Sequence, residues 1–309
     1  FIQVGNVNRT YKINVRLEDG SKKSFLVQNV NTYAFRNPIG LMNNIDLVTE
    51  HIRRKCPDRR NLHFHHTADR KTYLLDGENF WRVMNYVDSA TYSATTDPVI
   101  LRNAGRAFGE FQTQLADFDI HLLVETIPNF HNTRTRYESL VTAVAEDVAH
   151  RAESVRPEIA YLLSVQDTAC TLTDLGKAGR LPLRVTHNDT KINNVLFDNK
   201  TGAPLVVIDL DTVMPGLIGH DFGDAIRFAA NYVLEDSPEY DKVGVNLDAF
   251  TAFAEGFLER TADCMTQEEL DTLAVSSFCM TAEVAVRFLD DYLRGDPYFK
   301  TLYPEHNLV

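Results

Sequence analysis

Between His187 and Asp211 the chain gathers residue types that could move a phosphoryl group. It reads H-N-D-T-K-I-N-N from His187 to Asn194, and V-V-I-D-L-D from Val206 to Asp211. Such a transfer needs a carboxylate to direct a hydroxyl, a cation for the γ-phosphate and oxygen ligands for a hard divalent metal. Asp189 is the candidate for the first task and Lys191 for the second. Asn194 and Asp209 are the candidate Mg²⁺ ligands. Asx turns and strand-end caps also use Asp and Asn, but they do not require all four residues at these intervals.

The spacing H-x-D-x-K-x-x-N is that of the protein-kinase catalytic loop. Strand-like runs at 183–186, 194–197 and 205–208 surround it, with Asn199-Lys200-Thr201-Gly202 as a turn. Pairing the last two runs as a hairpin carries Asn194 and Asp209 to the same end of one ribbon. Asp211, two residues further, projects on the face of Asp209 and is a candidate acceptor for a substrate hydroxyl. Asp221-Phe222-Gly223 spells a second kinase-like triplet outside that ribbon, so it is not expected to hold metal. A helix N-cap or an anchor for the catalytic loop is the expectation for Asp221.

The elements that must position these groups fall into two parts. From residue 1 to 88 the pattern is a small sheet with one helix. Strands are expected at 10–17 and 24–30 around the Glu18-Asp19-Gly20 turn, then a helix at 41–54, then strands at 62–64, 72–75 and 80–86. A small polar run from Ser89 to Pro98 reads as a linker, and residues 89–309 form the second part. There Leu101, Ala104, Phe108, Phe111, Leu115 and Phe118 recur at helical spacing. The same period runs over 137–163, 247–259 and 268–293, with Gly295 as a C-terminal cap. The expected fold class is α+β.

Composition excludes several alternatives. With 31 Lys and Arg against 43 Asp and Glu, the formal charge is −12, which repels nucleic acid and anionic membranes on average. No run approaches the 18 or so apolar residues of a membrane span, and the start lacks the pattern of a secretory signal. The missing initiator Met implies that residues precede Phe1. Cys56, Cys170, Cys264 and Cys279 lie far apart, without zinc-ribbon or disulfide-frame spacing, and suit reduced thiols in cytoplasm. P-loop, zincin and α/β-hydrolase motifs are absent.

Five segments carry a resemblance: G-N-V-N-R-T-Y at Gly5, V-T-H-N-D-T-K-I-N-N-V-L-F-D at Val185, V-I-D-L-D-T-V-M-P-G at Val207, D-F-G-D-A-I-R-F at Asp221 and Y-P-E-H-N-L-V at Tyr303. They resemble the aminoglycoside and choline kinase-like phosphotransferases, and among these the kinases of N-acetylhexosamines. The resemblance implies a bilobal, protein kinase-like fold: a small antiparallel-sheet N-lobe over ATP, and a larger helical C-lobe with the catalytic loop and a sugar site. It implies ATP and Mg²⁺ as cofactors and a small-molecule sugar as partner, phosphorylated at its anomeric 1-hydroxyl. Gly5, Asn8 and Thr10 would lie in the turn that covers the phosphates. Gln28 stands where protein kinases place the Lys for the α- and β-phosphates, a neutral residue that the resembled sugar kinases share. Arg287 and Tyr298 fall in the resembled sugar-binding region. Choline, homoserine or aminoglycoside acceptors, and a nucleotide-binding pseudokinase, are the alternatives.

Two further groups have plainer expectations. His63, His65 and His66 lack an acidic or Cys partner for a metal set and read as surface or half-buried histidines. Glu283 and Arg287, four apart on one helix, have the spacing of an ordinary helical ion pair.

Overall fold

The computed structural model describes residues 7–233, 235 and 237–309. The N-terminal lobe is one antiparallel sheet with a helix packed on it. Its strands are β1 (Arg9–Arg16), β2 (Lys22–Val30), β3 (Leu74–Asp76) and β4 (Asn79–Asn85), in the order β1-β2-β4-β3. The turn at 18–20 closes β1 onto β2, with Gly20 at φ +83, a conformation that glycine adopts without strain. Helix α1 (Pro38–Lys55) begins at Asn37, whose side chain caps Gly40 N–H, and buries Leu41, Met42, Ile45, Val48 and Ile52. Asn44 on α1 donates to the carbonyls of Val124 and Val213, tying the helix to the second lobe. The strand expected at 62–64 is reduced to a single bridge from Phe64 to Met84, held by His65 N–H to Val83 O and Asn85 N–H to His63 O on the stretch of the β4 edge that the three-residue β3 does not reach.

The C-terminal lobe is mainly helical: α2 (Pro98–Gln114), α3 (Thr133–Glu146), α4 (Arg156–Ser164), α5 (Gln166–Ala169), α6 (Thr171–Lys177), α7 (Ile218–Ala229), α8 (Leu247–Thr261) and α9 (Gln267–Leu293). Together the two lobes make the α+β, kinase-like architecture. The helix expected over 137–163 is broken. Asp147 ends α3 in the left-handed conformation (φ 37), His150 repeats it (φ 56), and Pro157 sits in the first turn of α4. Helix α9 starts in a capping box between Thr266 and Glu269 and ends before Gly295 at φ +89. It is the one helix among the described residues long and apolar enough to cross a membrane, contrary to the expectation from the sequence. Its Leu273, Met280, Val286, Leu289 and Leu293 are nevertheless buried against neighbouring helices, α3 and α7 among them.

Two short ribbons sit where the lobes meet. β5 (Arg184–Thr186) pairs with β8 (Met214–Gly216), a strand absent from the sequence expectation, and β6 (Val195–Phe197) pairs with β7 (Pro204–Val207). Residues 86–97 connect the lobes, and Ala90 exchanges both backbone hydrogen bonds with Phe197 on β6. The main core runs continuously from Val30, Ile45 and Phe80 in the first lobe to Phe197, Phe222 and Phe257 in the second.

Candidate active site

The catalytic loop leaves β5 at His187 and is fastened before its functional side chains appear. His187 is fully buried against the rings of Phe108 and Phe111. Its Nδ1 accepts from Asp189 N–H at 3.2 Å and its Nε2 donates to Ile208 O at 2.8 Å, which fixes the tautomer. Asn188 takes φ +64. Asp221, inside α7, accepts from the backbone N–H groups of His187 (2.9 Å) and Asn188 (2.7 Å) and from Gln112 Nε2 (2.7 Å). Its backbone carbonyl also accepts from the Thr190 hydroxyl. Asp221 is therefore an anchor for the loop; the N-cap position of α7 belongs to Leu217. Asp224, one turn on, accepts from Thr190 N–H and pairs with Arg227.

The four motif residues converge. Lys191 Nζ lies 3.4 Å from Asp189 Oδ1, and both side chains are about one-third exposed. Burial alone would depress the Lys191 ammonium, but Asp189, Asp224 and Glu235 outweigh it and hold the group above its usual range. Asn194 donates from Nδ2 to Asp189 O (2.8 Å) and Oδ2 (3.2 Å), which turns its carbonyl oxygen away as a free acceptor. Val195 pairs with Val207, and Ile208 N–H reaches Asn194 O, so Asp209 follows at the Asn194 end of the ribbon. Asp209 itself adopts φ +59, ψ +59, an uncommon backbone for a non-glycine residue. Burial, then the charges of Asp211 and Asp189, push its carboxyl up to about 7, against the pull of Arg82.

Asp211 is paired with Arg82, which leaves Asp189 and Asp209 beside the Asn194 amide, and an amide oxygen plus a carboxylate suit a hard divalent cation. Among the described residues no group of three or more His, Cys, Asp or Glu is placed to hold a metal ion, so the candidate donors are the Asn194 amide oxygen and the Asp209 carboxylate. That donor set fits a Mg²⁺ ion whose remaining ligands are water and phosphate.

On the N-lobe side, Gly5 lies outside the described residues. Asn8 Nδ2 donates to Asp211 Oδ2 at 2.6 Å, and Thr10 Oγ1 accepts from Gln28 Nε2 at 2.9 Å. Arg82 on β4 donates from Nε to Gln28 Oε1 at 2.9 Å and pairs through Nη1 with Asp211 Oδ1. Both Asp211 oxygens are therefore engaged, and the residue is 4% exposed. A sugar hydroxyl would have to displace Asn8 or Arg82 to reach it.

The residues read as a sugar site lie on another wall. The Arg287 guanidinium sits between the rings of Phe130 (5.5 Å) and Phe299 (5.7 Å), and Tyr298 is 73% exposed. The helical ion pair expected between Glu283 and Arg287 does not form. Glu283 instead faces His131 Nδ1 at 2.7 Å and accepts from Thr133 Oγ1 at 2.7 Å. Burial would raise its carboxyl, but the charge and hydrogen bond of His131 bring it down to about 2. His131 Nε2 is 3.3 Å from Asn188 O, so this wall is linked to the residue before Asp189. Arg82 and His131 escape the motif reading. Their signal in sequence is slight: for Arg82, an arginine alternating with Phe80 and Met84 on one strand face.

The phosphotransferase enzyme family (APH) matches residues 58–257, well over half of the chain. The chain belongs to this family. The phosphotransferase also shares its fold with solved structures at low sequence identity. A spectinomycin phosphotransferase, APH(9)-Ia, solved with ADP and spectinomycin, aligns at a TM-score of 0.59 and 15% identity, over 100% of this chain and 86% of its own. A microcompartment-associated aminopropanol kinase aligns at 0.59 and 15%, over 99% and 85%. The choline kinase of Cryptosporidium parvum aligns at 0.52 and 14%, over 94% and 82%.

Proposed function

We propose that this phosphotransferase is an ATP- and Mg²⁺-dependent kinase that phosphorylates the anomeric 1-hydroxyl of N-acetylglucosamine or N-acetylgalactosamine in the cytoplasm. The observation that carries the kinase part is the convergence of Asp189, Lys191, Asn194 and Asp209 on one fastened loop and ribbon. ADP in the related spectinomycin phosphotransferase supports ATP as donor. Asp189 orients the acceptor hydroxyl and accepts its proton as the new O–P bond forms and the bond from the γ-phosphorus to the bridging oxygen breaks, releasing ADP. Lys191 offsets charge on the transferred group. Asn194 Oδ1 and the Asp209 carboxylate would hold Mg²⁺. When bound, that ion neutralises charge on the β- and γ-phosphate oxygens.

Charge on the proposed acceptor wall supports a neutral sugar over a cationic acceptor. Arg287 lies over Phe130, Arg136 donates to the Phe130 carbonyl, and the neighbouring His131 pairs with Glu283, so basic side chains gather around this wall. Burial, then the charge of Arg287, depresses the Arg136 guanidinium, which marks the two arginines as neighbours. The nearby carboxylates are already committed: Glu283 to His131 and Thr133, Asp290 to Ser139 and Arg294, Asp291 to Tyr298 N–H, Phe299 N–H and Asn307. Choline or an aminoglycoside would meet arginines where it needs free carboxylates.

The test is Mg²⁺-dependent ADP release from ATP with N-acetylglucosamine, N-acetylgalactosamine, glucose, choline, homoserine and kanamycin as separate acceptors. Turnover confined to the two acetylated sugars, with NMR showing a 1-phosphate, is the expected result. Turnover only with a cationic acceptor would reject the sugar assignment. ATP binding without turnover on any acceptor would favour a pseudokinase.

A further inference from the structure

Position 28 leaves the phosphate side of the site without the expected lysine, yet a cation stands beside it. Gln28 and Arg82 are direct cross-strand partners in the β2–β4 register. Arg82 is 3% exposed and occupies the inward row of β4 between Phe80 and Met84, both buried. Its Nε is held by Gln28, its Nη1 by Asp211 and Met42 Sδ, and its guanidinium lies 5.6 Å from the Phe64 ring centroid. Nη2 donates to no described residue.

An arginine in this row has no plain structural justification. A buried ion pair is a weak source of stability, because desolvation of both charges offsets most of their attraction. An apolar pair of similar volume would pack between Phe80 and Met84 at less cost. The partners of Arg82 are informative in themselves. Gln28 links onward to Thr10 on β1, and Asp211 to Asn8 just before it, so the guanidinium stands at the branch point of two hydrogen-bonded arms. The metal ligand Asp209 is two residues from Asp211. A planar guanidinium held at two of its three nitrogens, with no partner at the third among the described residues, is preorganised for an oxyanion.

We propose, resting on the nucleotide-binding reading above, that Arg82 supplies from β4 the phosphate-binding cation that Gln28 cannot, with Asp211 as its acidic anchor. Gln28 is then a bracket for the guanidinium and not a gap in the machinery. Nη2 donates to an oxygen of the α- or β-phosphate, and the positive charge stays on the nucleotide side while Lys191 serves the transferred group.

Calorimetric titration of the full chain with MgADP and, separately, with adenosine tests this without any acceptor. Arg82→Gln is expected to weaken MgADP at least tenfold and to leave adenosine within about threefold. Gln28→Lys added to Arg82→Gln returns an ammonium to the neighbouring strand and is expected to recover most of the MgADP affinity. Arg82→Lys guards against misfolding of the neutral variant. Keeping charge but losing the fork, it should fall between wild type and Arg82→Gln for MgADP only. Unchanged MgADP affinity in Arg82→Gln would overturn the proposal. So would an equal loss for MgADP and adenosine, or a double variant no better than the single one. Wild-type protein that binds no MgADP would reject the kinase reading itself, a result separate from these.

Discussion

Asp189 reaches its position through its neighbours. The loop that carries it is fixed by His187 and by the two backbone bonds to Asp221, while its own carboxylate meets, among the described residues, Lys191 and Asn194. Asp189→Asn keeps size and hydrogen bonding but removes the base. It should lower kcat about 10²–10⁴-fold with MgADP affinity nearly unchanged, which steady-state kinetics and titration would show. Asp221→Ala acts differently. It leaves two buried N–H groups and Gln112 without an acceptor, so urea unfolding should register a loss of about 3 kcal/mol or more, together with lower kcat. Legibility follows distance along the chain. Asp189, Lys191, Asn194 and Asp209 fall within one short stretch whose spacing is itself the signal. Arg82 meets Asp211 across 129 positions, and His131 meets Glu283 across 152, where no local pattern records the contact.

At the scale of elements, hairpins and long amphipathic helices were readable because turn residues and period are local. The break between α3 and α4 was not, since apolar residues continue at helical spacing through the left-handed Asp147 and His150. β8 escaped for a related reason. Three residues containing Pro215 and Gly216 carry no strand pattern, and only pairing with β5 defines them. The crossing of α2 over α8 was hidden too, because glycine leaves no periodic trace. Gly105 lies against the Phe253 carbonyl and Gly256 against that of Arg102, each too close for a Cβ. Gly256→Ala gains about 1 kcal/mol of helix propensity. Overpacking costs about 1–3 kcal/mol, and a rigid backbone neighbour puts this site at or above the upper end. Denaturant unfolding should therefore show a net loss of about 2 kcal/mol.

Across the whole molecule, acid sensitivity should trace to a buried histidine. Among the described residues His220 has no hydrogen-bond partner for either ring nitrogen, and it packs 4.9 Å from the His131 ring, with Glu283 beyond. Burial, then the charge of His131, brings its pKa down to about 3. The unfolded chain takes up this proton near pH 6.5 and the native one only near 3, so stability falls as pH drops through that interval. Each unit contributes about 1.4 kcal/mol, or roughly 2 kcal/mol between pH 7.5 and 5. Glu283, held down to about 2, adds its own loss only below about pH 4.5. His220→Leu should flatten the slope between pH 7.5 and 5 in urea unfolding; an unchanged slope would point to other groups.

The paired backbone bonds between Ala90 and Phe197 carry a mechanical consequence. The connector between the lobes is stitched to the same ribbon that ends at Asn194 and Asp209. A pivot mounted there travels with the ribbon when the small lobe swings. A rotation of the N-terminal sheet about that stitch would shift Arg82 and Gln28 relative to the ribbon while the spacing of Asn194 and Asp209 within it stayed constant.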